Sequence, residues 1–269
     1  MKLVRYTDST GCIAYGCERA DGTVVRVEGD IFGRHETTSV PAEVRQHLAP
    51  VAPTAIFAIG LNYRQHAHET HAPVPDFPVL FMKNIAALNH PGAAIVLPRH
   101  LRSDEVDYEC ELAVVIGKPC RNVSRAEAGN YILGYTCAND VSARDWQKRR
   151  SGGQWCRAKS FDTFCPLGPV LVTPDELGNP NALAIATRVN GETLQSSNTN
   201  DMIFDVPTLI EFLSASTILR PGTVIITGTP HGVGFARTPP VFLKAGDSVT
   251  IEIEKIGKLT NPVIDEKIG

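Results

Sequence analysis

The sequence predicts an α+β protein that is mostly β. Apolar runs of strand length outnumber helical patterns, and they do not alternate with helices in a regular βαβ rhythm. The glycine-rich stretch "GTPHGVG" also lacks the G-x-G-x-x-G spacing of a dinucleotide-binding fold.

Residues 1–33 read as short strands that turn at "ADGT" and "EGD". "VPAEVRQHLAP" predicts a short helix with Pro41 in its first turn, where a missing N–H is harmless. The proline-bearing "LAPVAPT" marks a boundary between a small N-terminal domain, 1–52, and a larger domain, 53–269. "AIFAIGLNY" is an apolar strand ending in a Gly-Asn loop, and "HAPVPDFP" is too rich in proline for anything but an exposed loop. "DYECELAVVIG" reads as a buried strand. Ser124 and Glu127 make a capping-box pattern for a short helix. "YILGYTCAND" is a strand ending at Asp140, and "IATRVNGETLQ" a hairpin turning on Asn190-Gly191, a pair suited to a type I′ turn. "VPTLIEFLSAS" is an amphipathic helix with Pro207 near its start. "TVIITGTPHGVGF" is a buried strand running into the glycine-rich loop, and "GDSVTIEIEKIG" an alternating strand.

The 269 residues are 43% hydrophobic and 20% charged, with a formal net charge of −3. That balance gives no footing for nucleic-acid or membrane binding and favours small-molecule chemistry. The opening "MKLVRYTDSTGC" lacks the basic-then-apolar pattern of a signal peptide. Seven cysteines without a C-x-x-C pair fit a reducing compartment: a cytoplasmic location is expected, or a mitochondrial one should a targeting segment precede this sequence. Cys110, Cys137 and Cys165 lie in apolar runs and are expected in the core.

Three groups of residues could carry chemistry. In "DYECELAVVIG", Asp107, Glu109 and Glu111 recur at every second position, so they share one face of a strand. Glu109 and Glu111 start ~6.6 Å apart and can converge on one point. Two carboxylates ~5 Å apart repel by roughly 3 kcal/mol at an effective dielectric of about 20, so solvent, a proton, a basic partner or a cation must relieve them. Alone, the pattern fits a solvated acidic face equally well. With Asp140 ending a neighbouring strand, it becomes a hard oxygen site suited to Mg²⁺, Mn²⁺ or Ca²⁺ rather than zinc.

The second group is "GLNYRQHAHETH". Each histidine there is by itself most simply a surface residue, and H-x-H-x-x-H is a loose spacing for zinc. His66 and Glu69, however, meet across one helical turn, and a carboxylate that orients an imidazole makes a general base. The third is "SARDWQ" with "AKSFDTFCP": Arg144 could hold a substrate carboxylate through paired hydrogen bonds, and Lys159 could stabilise an enolate by charge. The simplest account of either residue alone is a structural ion pair.

Together these residues resemble the fumarylacetoacetate hydrolase superfamily. The likeness runs from about Ala55 to Val263 through "GLNYRQHAHE", "PVLFMKN", "DYECELAVVIG", "GYTCANDVSARDWQ", "AKSFDTFCPLGP", "VNGETLQSSNT" and "ITGTPHGVGFARTPPVFLKAGD", in order. The resemblance implies a mixed β-roll, usually a homodimer, with a divalent metal on Glu109, Glu111 and Asp140. It implies a catalytic His66–Glu69 pair on a short lid helix that orders over substrate, and an active-site Lys159. Substrate contacts are implied for Arg144, Gln147 and Thr229. Relatives often carry Lys-Pro followed by a serine where this chain has "MKNIAAL", so no substrate contact is carried over to Lys83, Asn84 or Ala86.

The implied chemistry is that of a metal-bound enolate of a 2-oxo or β-diketo acid. Hydrolysis of a C–C bond in an acylpyruvate or fumarylpyruvate-type substrate is the leading expectation. The alternative is an oxaloacetate tautomerase, or a decarboxylase or hydroxymuconate-type isomerase, working with the same site. A catalytically silent metal-binding protein is the third reading, weakened by the presence of His66, Glu69 and Lys159 together.

Overall fold

The computed structural model describes residues 1–268. It is mostly β, as the strand-rich sequence predicts, and is built on a twelve-stranded mixed sheet and a five-stranded sheet. Across the middle of the large sheet lie Cys165–Val172, Ile132–Asn139, Cys110–Ile116, Thr223–Ile226 and Ala55–Gly60, with Val79–Lys83 at one edge. The N-terminal strands extend the other side: Lys2–Thr7 pairs with Cys165–Val172 through Lys2↔Val172 and Leu3↔Leu171. Among the described residues, no helix is long and apolar enough to cross a membrane.

All seven residues of Cys110–Ile116 are buried. A continuous apolar run is what a strand covered on both faces requires. The five-stranded sheet (Glu192–Asn198, Ala184–Val189, Ser248–Ile253, Gly257–Asp265, Ile95–Leu97) packs against the central strands. Its first hairpin turns on Asn190 and Gly191, with φ of 53° and 87°, the two left-handed residues that a type I′ turn demands. The helix Val206–Ser214 starts at Asp205, whose carboxylate accepts from the Thr208 N–H, and it buries Leu209, Ile210 and Leu213. Cys110, Cys137 and Cys165 are core residues, and burial pushes the Cys110 and Cys165 thiols up to about 12, which leaves them inert.

Two local expectations fail. "VPAEVRQHLAP" is not a helix: Pro41 ends the strand His35–Pro41, and Gln46–Leu48 pairs antiparallel with Lys2–Thr7. So short a helix would have been marginal on its own, and open edges of the N-terminal sheet offer its backbone ladder hydrogen bonds. After Ser124 only a 3₁₀ turn, Ala128–Tyr131, forms. The Ser124 hydroxyl donates to the Glu127 carboxylate at 2.6 Å instead of capping a helix.

Strand polarity positions the site. Cys110–Ile116 runs antiparallel to both neighbours, so its start lies beside their ends: Cys110 faces Asn139, and the Thr227 N–H donates to the Leu112 carbonyl. Ala55–Gly60 is parallel to Thr223–Ile226 and so ends on the same side. Four segments thus deliver Glu109, Asp140, the loop from Gly228 and the helix Arg64–Glu69 to one rim of the sheet.

Candidate active site

The carboxylates of Glu109, Glu111 and Asp140 are buried, and their oxygens lie within 4.8 Å of one another. Backbone pairing joins them: the Asp140 N–H donates to the Glu109 carbonyl at 2.9 Å. Asp107, which shares the alternation in sequence, is not part of this group. Strand structure breaks between Val106–Asp107 and Cys110–Ile116. Its carboxylate instead accepts from Arg144 Nε and from the N–H groups of Tyr108, Gly234 and Phe235.

Basic side chains knit the acids together. Lys159 Nζ donates to Glu109 at 2.6 Å and to Asp140 at 2.7 Å, Arg144 Nη2 donates to Glu109 at 2.6 Å, and Lys83 Nζ donates to Asp140 at 2.6 Å. Burial opposes ionisation of Glu109, but Lys159 and Arg144 hold its carboxyl down to about 2. Glu111 differs. Among the described residues it forms no ion pair and accepts only the Gly228 N–H. Burial, then the Asp140 and Glu109 carboxylates, push it well above the usual range.

Counting Asp107, the four acids face three ion-paired cations, Lys83, Arg144 and Lys159, so Glu111 is left for a proton or a bound cation to neutralise. The oxygen-only donor set and this excess charge fit a hard divalent cation, which Glu109, Glu111 and Asp140 could hold.

The helix Arg64–Glu69 closes over the group and is fixed at both ends. The Asn62 side chain bonds Thr227 and Phe204, Gln65 N–H donates to Asp201, and Arg64 donates to the Met202 carbonyl at 2.6 Å. At the other end, the Gly232 N–H donates to both Glu69 oxygens, at 2.9 and 3.1 Å. Glu69 Oε1 lies 2.7 Å from His66 Nδ1. In a neutral imidazole that donates Nδ1–H to Glu69, Nε2 is the nitrogen able to accept a proton. Gly232 has φ of +93°, and a Cβ there would fall 2.3 Å from the Leu194 carbonyl oxygen, so only glycine lets the loop reach Glu69.

His66, Glu109, Glu111, Arg144 and Lys159 line one cavity of about 460 Å³ that also takes in Gln147, Thr229, Phe235 and Trp155. Three of the five N–H bonds of Arg144 are taken, by Asp107, Glu109 and the Gln147 carbonyl oxygen. The Gln147 amide NH₂ keeps its donors, and Thr229 Oγ1, which accepts from Gln195 at 2.8 Å, keeps its hydroxyl proton. The nine residues to which the resemblance gives roles therefore belong to this one cavity or, for Glu69 and Asp140, bond directly to side chains that line it.

Sequence reasoning left out Lys83 and Gln195. Lys83 was set aside for its altered neighbours. Gln195 lies within a quoted motif, but nothing local marks it. Only in three dimensions does its side chain tie together Thr187, the Cys110 N–H, Thr229 and the Pro230 carbonyl.

Residues 55–264 match the family model described as fumarylacetoacetate (FAA) hydrolase C-terminal. The chain is 50% identical over 218 residues to the mitochondrial oxaloacetate tautomerase fahd2 of Xenopus laevis, covering 81% of this chain and 68% of that one. It has the same identity over the same length to the human mitochondrial oxaloacetate tautomerase FAHD2A, covering 81% of this chain and 69% of the relative. Among solved structures, a 5-carboxymethyl-2-hydroxymuconate delta-isomerase of Mycobacterium smegmatis superposes with a TM-score of 0.86 at 40% identity, covering 99% of this chain and 100% of the other. A fumarylacetoacetate hydrolase of Exiguobacterium antarcticum superposes with a TM-score of 0.85 at 35% identity, with the same coverage.

Proposed function

Because the chain belongs to the fumarylacetoacetate hydrolase family, we propose that it is a divalent-metal-dependent keto–enol tautomerase of oxaloacetate. The observation that carries this is 50% identity, over most of the chain, to relatives named oxaloacetate tautomerases. It reverses the order of the two enzyme readings that the motifs alone suggest.

Mg²⁺ is the proposed metal, with Mn²⁺ or Ca²⁺ able to replace it. Held by Glu109, Glu111 and Asp140, it would supply Lewis-acid polarisation of the 2-oxo acid. The protein's own groups do the rest. His66 Nε2 accepts the proton from the substrate carbon, and Glu69 balances the imidazolium that results. The proton returns to the oxygen, so bonds and charge balance without water being consumed. Thr229 Oγ1–H and the Gln147 NH₂ donate to substrate oxygens, and the Lys159 ammonium adds positive charge beside the developing enolate. Glu69, held twice by Gly232, keeps the imidazole in one tautomer and one orientation.

Hydrolysis of an acylpyruvate is the second reading. The same dyad could activate a water, and a hydrolase is among the structural relatives. The deciding experiment follows enol-oxaloacetate absorbance and acetylpyruvate cleavage with purified protein in Mg²⁺ and in chelator. Metal-dependent interconversion with acetylpyruvate left intact is expected. Cleavage of acetylpyruvate without tautomerase activity would overturn the proposal.

A homodimer in a reducing compartment, cytosolic or mitochondrial, is proposed as the setting. Leu80 and Met82 are exposed on the edge strand Val79–Lys83, where a second copy could cover them. Light scattering tests the dimer.

A further inference from the structure

Three long cationic side chains line the cavity, Arg144, Lys148 and Lys159. Two are already matched: Arg144 by Asp107 and Glu109, and Lys159 by Glu109 and Asp140. Among the described residues, Lys148 pairs with no carboxylate, although its sequence neighbours do. Arg149 reaches Glu105 at 2.6 Å and Arg150 reaches Asp145 at 3.5 Å.

The local backbone explains the difference. Trp146–Arg150 is a single wide π-turn opened by Asp145, whose side chain accepts the Trp146 N–H. Such turns re-aim side chains that a regular helix would place elsewhere. Here Gln147 and Lys148 both face the cavity, while Arg149 and Arg150 bind acids outside it.

Phe235 then fixes the ammonium. Lys148 Nζ lies 3.5 Å from the ring centroid, and Arg144 Cζ lies 4.5 Å from the same centroid. Lys148 is thus one ring away from the guanidinium that grips Glu109. Desolvation, then the nearby Arg144, lowers the pKa of Lys148 below the ordinary lysine value, and the negative charge of a docking anion would offset the Arg144 repulsion.

We propose that Lys148 is a specificity-determining residue that receives the second carboxylate of the substrate, so that the cavity selects small 2-oxo dicarboxylates over monocarboxylates. Once the oxo and carboxylate oxygens of one end sit at the Glu109–Glu111–Asp140 group, the remote end of a dicarboxylate needs a cation that the protein has not already neutralised. Lys148 supplies it. A substrate with a neutral tail would leave that cation partly desolvated and unpaired, which penalises acylpyruvates. The assignment rests on reading the site as one for 2-oxo acids, and it deepens that reading by naming the charge on the far end.

The test compares oxaloacetate with 2-oxobutyrate, which has the same chain length with a methyl group in place of the second carboxylate. Binding to the Mg²⁺-loaded protein is measured by calorimetry, independently of turnover. Wild type is expected to prefer oxaloacetate on the order of tenfold or more, the worth of one charge-assisted contact. Lys148→Met should bring the two affinities within about threefold, and Lys148→Arg should restore the preference. A wild-type protein without preference, or a Lys148→Met variant that keeps it, overturns the assignment. Tautomerase activity is assayed in parallel. A protein that shows the preference and its loss in Lys148→Met, yet does not interconvert the tautomers, would sink the functional reading while leaving Lys148 in place.

Discussion

Lys83 Nζ lies 2.6 Å from Asp140 Oδ1, and neither side chain is exposed to solvent. The lysine comes from the edge strand Val79–Lys83, and the aspartate follows the strand Ile132–Asn139. The ammonium also donates to the Val141 carbonyl, so Lys83 fixes the segment that carries an acid of the proposed metal group. Removing one partner of a buried pair leaves an uncompensated charge, which costs about 3–5 kcal/mol. Lys159 still serves Asp140, so Lys83→Met is expected at the low end, about 3 kcal/mol, by urea unfolding. A change under about 1 kcal/mol would show the pair to be dispensable.

Glu111 lies among like charges without, among the described residues, a basic partner of its own. Glu111→Gln removes that repulsion, so the metal-free variant should unfold at the same temperature as wild type or above it. The metal response should behave oppositely. Millimolar Mg²⁺ should raise the melting temperature of wild type, because a ligand bound only by the native state stabilises it, and should leave Glu111→Gln unmoved. Equal shifts in both proteins would remove Glu111 from the ligand set.

His66→Ala should lower turnover on the order of 10²–10⁴-fold, the usual worth of a positioned general base, with Mg²⁺ affinity by calorimetry unchanged. Lys159→Ala should lose activity and stability together, since its ammonium bridges Glu109 and Asp140. If His66→Ala keeps wild-type turnover, the imidazole is not the base.

Gly232→Ala tests the grip on Glu69. The added methyl meets the Leu194 carbonyl, and φ of +93° disfavours any side chain, so the loop must shift away from the helix. A cost of about 1–3 kcal/mol in stability is expected. Turnover should fall more steeply than affinity for oxalate, and hydrogen exchange in Arg64–Glu69 should quicken. Unchanged exchange there would mean that the helix is held by its Asn62 end alone.

The resemblance implies a short lid helix that orders over substrate, and Arg64–Glu69 is that helix, docked at one end through Arg64 and at the other through Glu69. This polar, histidine-rich run meets its partners more than 130 residues away, at Asp201–Phe204 and Gly232, which no local pattern reveals.

The strand-rich class, the Asn190-Gly191 hairpin, the alternating acids and the His66–Glu69 pair are legible in the amino-acid order. Each is set by periodicity or by spacing within a turn or two. Tertiary structure alone decided how the charges balance. Lys83, Arg144 and Lys159 reach their acids across 57, 35 and 19 residues, leaving Glu111, among the described residues, with the Gly228 N–H but no cation. It also excluded Asp107 from the acidic group, because a break in strand structure turns that carboxylate toward Arg144 and the Gly234 loop. Periodicity constrains only neighbours on one strand or helix. Which charges end up buried together depends on the order in which strands pair, and that is fixed by the whole core at once.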